Sequence, residues 1–220
     1  LPFVGVGWYR TEFDVPQFQA GKRATILFDG AMSHANVYIN GQKVGYWPYG
    51  YNSFHFDITK YLKPGEKNTL AVRLENLPES SRWYPGAGLY RNVHLIITED
   101  AYIPVWGTYI TTPSVNEKFA KVNVRTKVVL PEGADPAKYS VETSVWNPNK
   151  QKLTAVRTSL AQMKYNNNQA EQEFVIQAPS LWSPEMPALY SAETRLYEGD
   201  KLKDIYTTPF GIRSIEIIPD

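Results

Sequence analysis

The amino-acid sequence predicts an all-β protein built from two sandwiches. Apolar and polar residues alternate with a period of two along most of the 220 residues, and a period of 3.6 is almost absent. The 16 prolines and 15 tyrosines agree with this, because tyrosine is frequent in strands and proline interrupts helices. Turn residues separate the alternating segments at the spacing of short antiparallel strands, which favours sandwich or jelly-roll architecture.

Clear strand and turn signals mark the first half of the chain. In "SFHFDIT", Phe54, Phe56 and Ile58 alternate with polar residues, which predicts a strand with one buried face. In "NVYINGQKVGYW", the dipeptide Asn40-Gly41 stands between two strand-like arms. This dipeptide accepts the positive φ angles of a type I′ turn, so a tight hairpin is expected.

Two more strands are expected before the middle of the chain. After one helical turn at most, Pro64-Gly65 forms a turn that leads into a strand through Leu70, Val72 and Leu74. The stretch "NVHLIITE" predicts another strand, with three apolar residues facing inward: Val93, Leu95 and Ile97.

The rhythm changes near "EDAYIPVWGTYITTPSVN", where Pro104 and Pro113 interrupt the alternation. We place a domain boundary near residues 102–105, which gives domains of residues 1–103 and 104–220. Beyond the boundary, seven short segments read as the strands of an immunoglobulin-like sandwich. They are "AKVNVRTKVVL", "YSVETSVWN", "KLTAVRTSLAQM", "QAEQEFVIQ", "ALYSAETRLYE", "KLKDIYTTPFGI" and a last arm near "RSIEII".

Composition excludes several classes of function. The net charge is +1 with lysine and arginine spread along the chain, so no nucleic-acid partner is indicated. No apolar run approaches the roughly 20 residues of a membrane helix, and no membrane partner is expected. Cysteine is absent, which excludes disulfides and thiolate metal sites. The chain begins at Leu1 without an initiator methionine, and we interpret it as part of a longer polypeptide.

The sequence shows no complete catalytic apparatus. Glu12 and Asp14 share a strand face about 7 Å apart, but nothing marks them as desolvated, and a solvated face is the simpler interpretation. The histidines His34, His55 and His94 do not have metal-ligand spacing. No serine lies in a G-x-S-x-G elbow. We expect no catalytic residue, no metal and no cofactor in this chain.

Several motifs in order resemble a known family. They are "GWYRTEFDVP", "FDGAMSHANVYINGQKVGYWPYGYNSFHFDITKYLKPGEKNTLAVRLEN", "SSRWYPGAGLYRNVHL", "SLWSPEMPALY" and "FGIRSIEI". Together they resemble the amino-terminal part of glycoside hydrolase family 2, in particular its β-galactosidase branch. The resemblance covers essentially the whole chain and implies a jelly-roll, galactose-binding-like domain, amino-terminally truncated here, followed by an immunoglobulin-like domain.

The resemblance also implies what lies elsewhere in such enzymes. A (β/α)₈ barrel follows these two domains and carries both catalytic glutamates, one acid/base and one nucleophile. The implied partners are that barrel and, through the intact enzyme, a β-linked galactoside or related glycan. A periplasmic or secreted location is plausible on family grounds alone, and the sequence leaves the oligomeric state open.

Two segments of the second half have structural interpretations. In "LWSPEMPALY", Trp182 and Tyr190 flank two prolines, which indicates a rigid apolar elbow at a sheet crossing or a domain contact. In "FGIR", we expect Gly211 to allow a turn before a closing strand and Arg213 to pair with the barrel.

One segment is a candidate pocket rim. Ser81, Arg82, Trp83 and Tyr84 precede a stretch turned by proline and glycine. The resemblance implies that this loop helps to form the pocket wall beside the sugar; some relatives carry an acidic residue near position 81. The segment Phe3–Val4 lacks an asparagine that some relatives direct toward the sugar. The guanidinium of Arg82 would supply paired hydrogen bonds, and Trp83 a flat apolar face.

Alternatives remain open at this stage. Trp83 and Tyr84 also fit a plug between the two sandwiches. For the whole chain, a free-standing carbohydrate-binding module and a purely structural immunoglobulin-like spacer compete with the non-catalytic portion of a glycosidase. Exposed aromatic residues support the carbohydrate-binding alternative, because they stack on sugar faces.

Overall fold

The computed structural model describes residues 4–17, 21–79, 86–162 and 169–216. The described chain is almost entirely β structure, and the predicted fold class is confirmed. It divides into two compact units, Leu1–Thr98 and Glu99–Asp220, shortly before the boundary expected at residues 103 and 104. No helix among the described residues has the length and apolar character needed to cross a membrane.

The described residues of the first unit form seven strands and one 3₁₀ turn, Thr59–Tyr61. The strands are β1 (Gly5–Asp14), β2 (Arg23–Phe28), β3 (Ala35–Ile39), β4 (Gln42–Trp47), β5 (Phe54–Asp57), β6 (Lys67–Asn76) and β7 (Val93–Thr98). They form a four-stranded sheet in the order β1-β6-β3-β4 and a three-stranded sheet in the order β5-β2-β7. All pairs are antiparallel.

Alternating side chains from the two sheets fill the core of this sandwich. Phe28 is fully buried and stacks on Phe54 with 4.8 Å between ring centroids. Trp47 also stacks on Phe54, with 5.7 Å between ring centroids. The aromatic stack connects strands of both sheets and holds them face to face.

The Asn40-Gly41 hairpin is confirmed. Asn40 and Gly41 have φ angles of 50° and 79° and form the two-residue connection between β3 and β4. The Asn40 side chain accepts a hydrogen bond from the Thr69 amide at 2.9 Å and donates to Asn68 at 2.8 Å. The turn residue therefore also ties the hairpin to β6.

The inward alternation predicted for β7 fails at Leu95. Val93 and Ile97 pack on the core, but Leu95 is 37% exposed. Within the described residues β7 pairs only with β2, so Leu95 borders an opening between the sheets of about 210 Å³. Alternation predicts which residues share a face, but it does not predict where the opposite sheet ends.

The second unit also has seven strands. They are β8 (Thr108–Val115), β9 (Phe119–Lys127), β10 (Tyr139–Trp146), β11 (Lys152–Ser159), β12 (Gln169–Gln177), β13 (Tyr190–Glu198) and β14 (Lys201–Phe210). Two sheets, in the orders β11-β10-β13-β14 and β12-β9-β8, form the sandwich. Two short 3₁₀ turns, Pro136–Lys138 and Leu160–Gln162, lie in its connections.

Two strand assignments in this half differ from expectation. Residues 108–115, interpreted as an interruption, form β8, because Pro113 lies on an edge strand where the pairing register shifts between Thr111 and Ser114. The closing strand expected near "RSIEII" is absent from residues 211–216, which have no regular secondary structure.

The proline-containing elbow, residues 181–190, packs on residues 211–213, which follow β14. The Trp182 amide donates to the Ile212 carbonyl at 2.8 Å, and the Arg213 guanidinium lies 4.6 Å from the Trp182 ring centroid. A Cβ on Gly211 would come within 3.0 Å of the Trp182 side chain. Gly211 therefore admits close packing by Trp182 and does not precede a closing strand within residues 211–216. The pairing of Arg213 with a barrel stays a prediction.

Candidate functional site

One end of the first sandwich is built from three connections that hydrogen-bond to one another: residues 29–34, 48–53 and 86–92. We call it the loop end. Met32 and Gly88 exchange two backbone hydrogen bonds of 3.0 Å, and the His34 amide donates to the Pro48 carbonyl at 3.1 Å. The Tyr90 hydroxyl donates to the Gly50 carbonyl at 2.8 Å. Although it lacks regular strands, the loop end is therefore a connected structure.

Tyrosines on the loop end reach solvent. Tyr49, Tyr51 and Tyr90 are each between 43% and 52% exposed. Tyr49 and Tyr51 meet edge to face with centroids 5.5 Å apart, and the Arg91 guanidinium lies 5.3 Å from the Tyr90 ring centroid. Large aromatic surface on one end of a domain is typical of a binding surface.

The predicted pocket-rim residues Ser81, Arg82, Trp83 and Tyr84 lie outside the described residues. Their role stays a prediction. The described chain on the far side of this segment resumes at Gly86 and reaches the loop end at Gly88. A Cβ at Gly88 would lie 2.2 Å from the Tyr9 hydroxyl, and its φ is 84°. Gly88 thus meets both a conformational and a steric requirement.

A polar cluster lies next to the loop end, on the solvent side of the four-stranded sheet. Arg73 and Glu75 form an ion pair on β6, and hydrogen bonding from Arg73 lowers the pKa of the Glu75 carboxyl. The His34 Nδ1 lies 2.7 Å from the Tyr46 hydroxyl. Backbone hydrogen bonds between Ser33 and Glu75, of 2.9 and 3.3 Å, join the cluster to the loop end.

Aromatic side chains extend this solvent side toward the sheet edge. Trp8 on β1 is 60% exposed, and its ring centroid lies 5.6 Å from that of Tyr38 on β3. Between their strands runs β6, where Ala71 pairs with Tyr38 and leaves room for the contact. Tyr46 on β4 is 46% exposed.

We call this solvent side the outer face. Its residues are Val6, Trp8, Arg10, Asn36, Tyr38, Lys43, Tyr46, Ala71, Arg73 and Glu75, with His34 at its border; away from the loop end, the same side of β1 and β6 continues through Glu12, Asp14, Lys67 and Thr69.

The residues considered for catalysis or metal binding on sequence spacing are not assembled into a site. Glu12 and Asp14 are both exposed, and Glu12 lies 3.9 Å from Lys67, which confirms the solvated face. His94 pairs with Asp29 at 3.0 Å, and partial burial lowers the pKa of His55. In the described ranges, no three metal-ligating side chains converge.

Sequence reasoning missed the outer face. Its signal was present in "GVGWYRTEFD", where Val6, Trp8 and Arg10 alternate with residues of the core side. The pairing of β1 with β6 was needed to show that these side chains meet Tyr38 across the sheet. A single strand reveals two faces but does not reveal what lies beside them.

Comparison with known families assigns both halves. Residues 2–99 match the sugar binding domain of glycosyl hydrolases family 2, and residues 102–213 match glycosyl hydrolases family 2 again. The chain belongs to glycosyl hydrolase family 2. The family predicted from the sequence motifs is therefore confirmed.

Relatives of this family 2 chain include named glycosidases. It is 40% identical over 214 residues to β-galactosidase BoGH2A of Bacteroides ovatus, covering 97% of the chain and 25% of that protein. It is 30% identical over 237 residues to a β-glucuronidase of Formosa agariphila, covering 98% of the chain and 24% of that protein. The chain thus spans about a quarter of the length of these curated relatives.

Solved structures agree with this assignment. A glycosyl hydrolase family 2 member from Bacteroides cellulosilyticus superposes with a TM-score of 0.86 at 33% sequence identity. The match covers 97% of the chain and 29% of that structure. Both the fold and the family are therefore shared with larger glycoside hydrolases.

Proposed function

We propose that this chain is the non-catalytic amino-terminal portion of a β-galactosidase-like glycoside hydrolase. In the intact enzyme it braces a (β/α)₈ catalytic barrel and shapes the sugar pocket of that barrel. The observation that carries the proposal is the order of two family 2 matches along a chain that spans a quarter of its glycosidase relatives. The expected substrate of the intact enzyme is a β-linked galactoside or related glycan.

Retaining hydrolysis requires two carboxyl groups facing each other across about 5–5.5 Å. Glu12 and Asp14, the carboxylates considered from spacing, lie exposed on one strand face, and Glu12 is next to Lys67. The family resemblance assigns the two catalytic glutamates to the barrel. The activity therefore belongs to the intact enzyme, with this chain in a supporting role.

Within that role, residues 81–84 form part of the pocket wall. The loop end supports this proposal, because the segment runs from Glu79 to Gly86 and the chain then enters a hydrogen-bonded, aromatic-rich end of the sandwich. Arg82 donates paired hydrogen bonds to vicinal hydroxyls or to a sugar carboxylate, and Trp83 contacts the C–H face of the sugar.

The experiment uses the full-length enzyme. Arg82→Ala is expected to lower kcat/KM by roughly tenfold or more, as expected for loss of a charge-assisted hydrogen bond, while Tm stays nearly unchanged. Arg82→Lys is the matched control: it keeps the charge but loses the planar fork, and should recover only part of kcat/KM. Parallel loss of Tm and activity would instead favour the plug between the sandwiches.

A free-standing carbohydrate-binding module is the second candidate. It is favoured by the match of residues 2–99 to a domain described as sugar binding and by the exposed Trp8, Tyr49 and Tyr51. A glycan-binding screen of the 220-residue chain separates the two. Specific retention of a glycan by the chain alone would support the module, and our proposal expects none.

A further inference from the structure

One row of the outer face, formed by Trp8, Arg73, Asn36 and Tyr46, has the composition of a protein–protein interface; Lys43 lies outside this row, opposite Tyr38. Tryptophan, tyrosine and arginine are enriched where proteins bind one another, and lysine is depleted. Trp8 and Tyr46 stand at opposite edges of one row across the sheet, with Arg73 and Asn36 between them. Four strands make this row about 14 Å wide. Leaving such a surface in water is unusual for a monomeric domain.

We propose that the outer face is the surface on which the catalytic domain of the intact enzyme docks. This inference rests on the function proposed above. Three quarters of the length of β-galactosidase BoGH2A lies outside the region that this chain matches, so the enzyme has a large domain available to cover the face. An interface of ordinary size needs about 800 Å² on each side, and the outer face continues into the loop end through Ser33 and Glu75.

The charges of the outer face define the partner. Glu75 neutralises Arg73. The guanidinium of Arg10, two residues after Trp8, has no ion pair or hydrogen bond with another described side chain. A buried guanidinium requires a charged or hydrogen-bonding partner. The docking domain therefore presents a carboxylate or a set of carbonyl oxygens to Arg10, and apolar side chains to Trp8 and Tyr46.

The geometry disfavours a glycan as the occupant. The Trp8 and Tyr38 rings are tilted by 37° and do not form one flat platform. In the row that contains Trp8 and Tyr46, the charged and aromatic polar groups are already paired, Arg73 with Glu75 and His34 with Tyr46, which leaves Arg10 in the next row as the available guanidinium. Sugar recognition needs hydrogen-bonding groups available to hydroxyls. Prearranged pairs beside aromatic rings suit a fixed protein surface better.

Hydroxyl-radical footprinting of the full-length enzyme and of the 220-residue chain tests the inference. Trp8 and Tyr46 are expected to oxidise at least about fivefold more slowly in the full-length enzyme, since interface cores exclude water. Equal reactivity in both proteins would overturn the docking surface. Protection that disappears on dilution would assign the face to a second copy, and protection that requires added oligosaccharide would assign it to a glycan; either result overturns the inference.

Charge reversal gives a second, independent measurement. Arg10→Glu should lower the Tm of the full-length enzyme by about 2–4 °C or more and leave the Tm of the 220-residue chain nearly unchanged. Arg23→Glu, on the opposite sheet, is the control and should change the Tm of both proteins alike. A shift for Arg10→Glu that is equal in both proteins would contradict docking.

The pocket role of residues 81–84 and the docking role of the outer face can be refuted independently of each other. If Arg82→Ala lowers kcat/KM while Trp8 and Tyr46 remain reactive in the full-length enzyme, the docking surface is wrong and the pocket role stands. If both aromatic residues are protected while Arg82→Ala leaves kcat/KM unchanged, the docking surface stands and the pocket role is wrong.

Discussion

Lys203 carries a charge where little water reaches it. Its side chain is 7% exposed, and its Nζ lies 2.9 Å from Asp100 and 3.5 Å from Glu198. The hydrogen bond from Lys203 lowers the pKa of Asp100 and raises that of Lys203. Tyr139, whose pKa is raised mainly by burial, donates a hydrogen bond to Glu198 at 3.3 Å. This group of side chains makes the stability of the second sandwich depend on pH.

The pKa of Asp100 is lower in the folded state than its ordinary value of 3.8. The Asp100 carboxylate therefore stabilises the folded state above pH 3.8, and this stabilisation is lost as the pH falls through the pKa of the folded state. Asp100→Asn should therefore lower the free energy of unfolding by about 1 kcal/mol at neutral pH and leave it unchanged at strongly acidic pH. The effect is small because the carboxylate is 41% exposed and solvent screens its charge. Urea unfolding across the acid range measures this.

Asp200→Asn, in the exposed turn after β13, is the control and should be neutral at every pH. If Asp100→Asn lowered the free energy of unfolding equally at every pH, the charge of the Asp100 carboxylate would not be the source of its stabilising effect.

At the scale of elements, the Asn40-Gly41 turn fixes the β3–β4 hairpin. A Cβ on Gly41 would meet no atom within 4 Å, but its φ is 79°. Gly41→Ala should therefore destabilise by about 1–2 kcal/mol through backbone conformation alone. Hydrogen exchange of the β3 and β4 amides measures this loss of stability and should become faster in the variant.

Gly7 provides the matched comparison. It lies within β1, outside the left-handed region, and a Cβ there would be in ordinary contact with Tyr9 at 3.8 Å. Gly7→Ala should be neutral or stabilise by up to about 1 kcal/mol, because alanine loses less entropy in a strand. If both substitutions changed stability in the same direction and by the same amount, the φ-angle explanation would be wrong.

Local signals predicted most of the elements. The hairpin followed from one dipeptide, and the burial of Phe54 followed from alternation. The errors arose where tertiary context decides. Pro113 is compatible with β8 only because β8 is an edge strand with a register shift. The local sequence does not indicate which strand will lie at the edge of a sheet.

The candidate site was less predictable than the fold. The loop of residues 81–84 was proposed through family resemblance, whereas the outer face follows from strand pairing. Trp8 and Tyr38 are 30 positions apart in sequence and meet only because β6 pairs with both β1 and β3. Long-range pairing of this kind has no local signature.

At the scale of the whole molecule, two family 2 sandwiches occupy a chain that is about a quarter of its curated relatives. Such domains supply surfaces and loops, and the chemistry of a glycosidase depends on an opposed pair of carboxyl groups. We therefore propose that this chain supplies supporting surfaces and that a separate catalytic domain carries the pair of carboxyl groups.

Turnover of nitrophenyl β-galactoside and β-glucuronide by the purified 220-residue chain tests this claim most directly, with the full-length enzyme as the positive control. We predict hydrolysis by the full-length enzyme and no hydrolysis by the 220-residue chain at any pH. Turnover that co-purifies with the chain through successive columns, and that persists when the chain is made in a host lacking β-galactosidase and β-glucuronidase, would contradict the account.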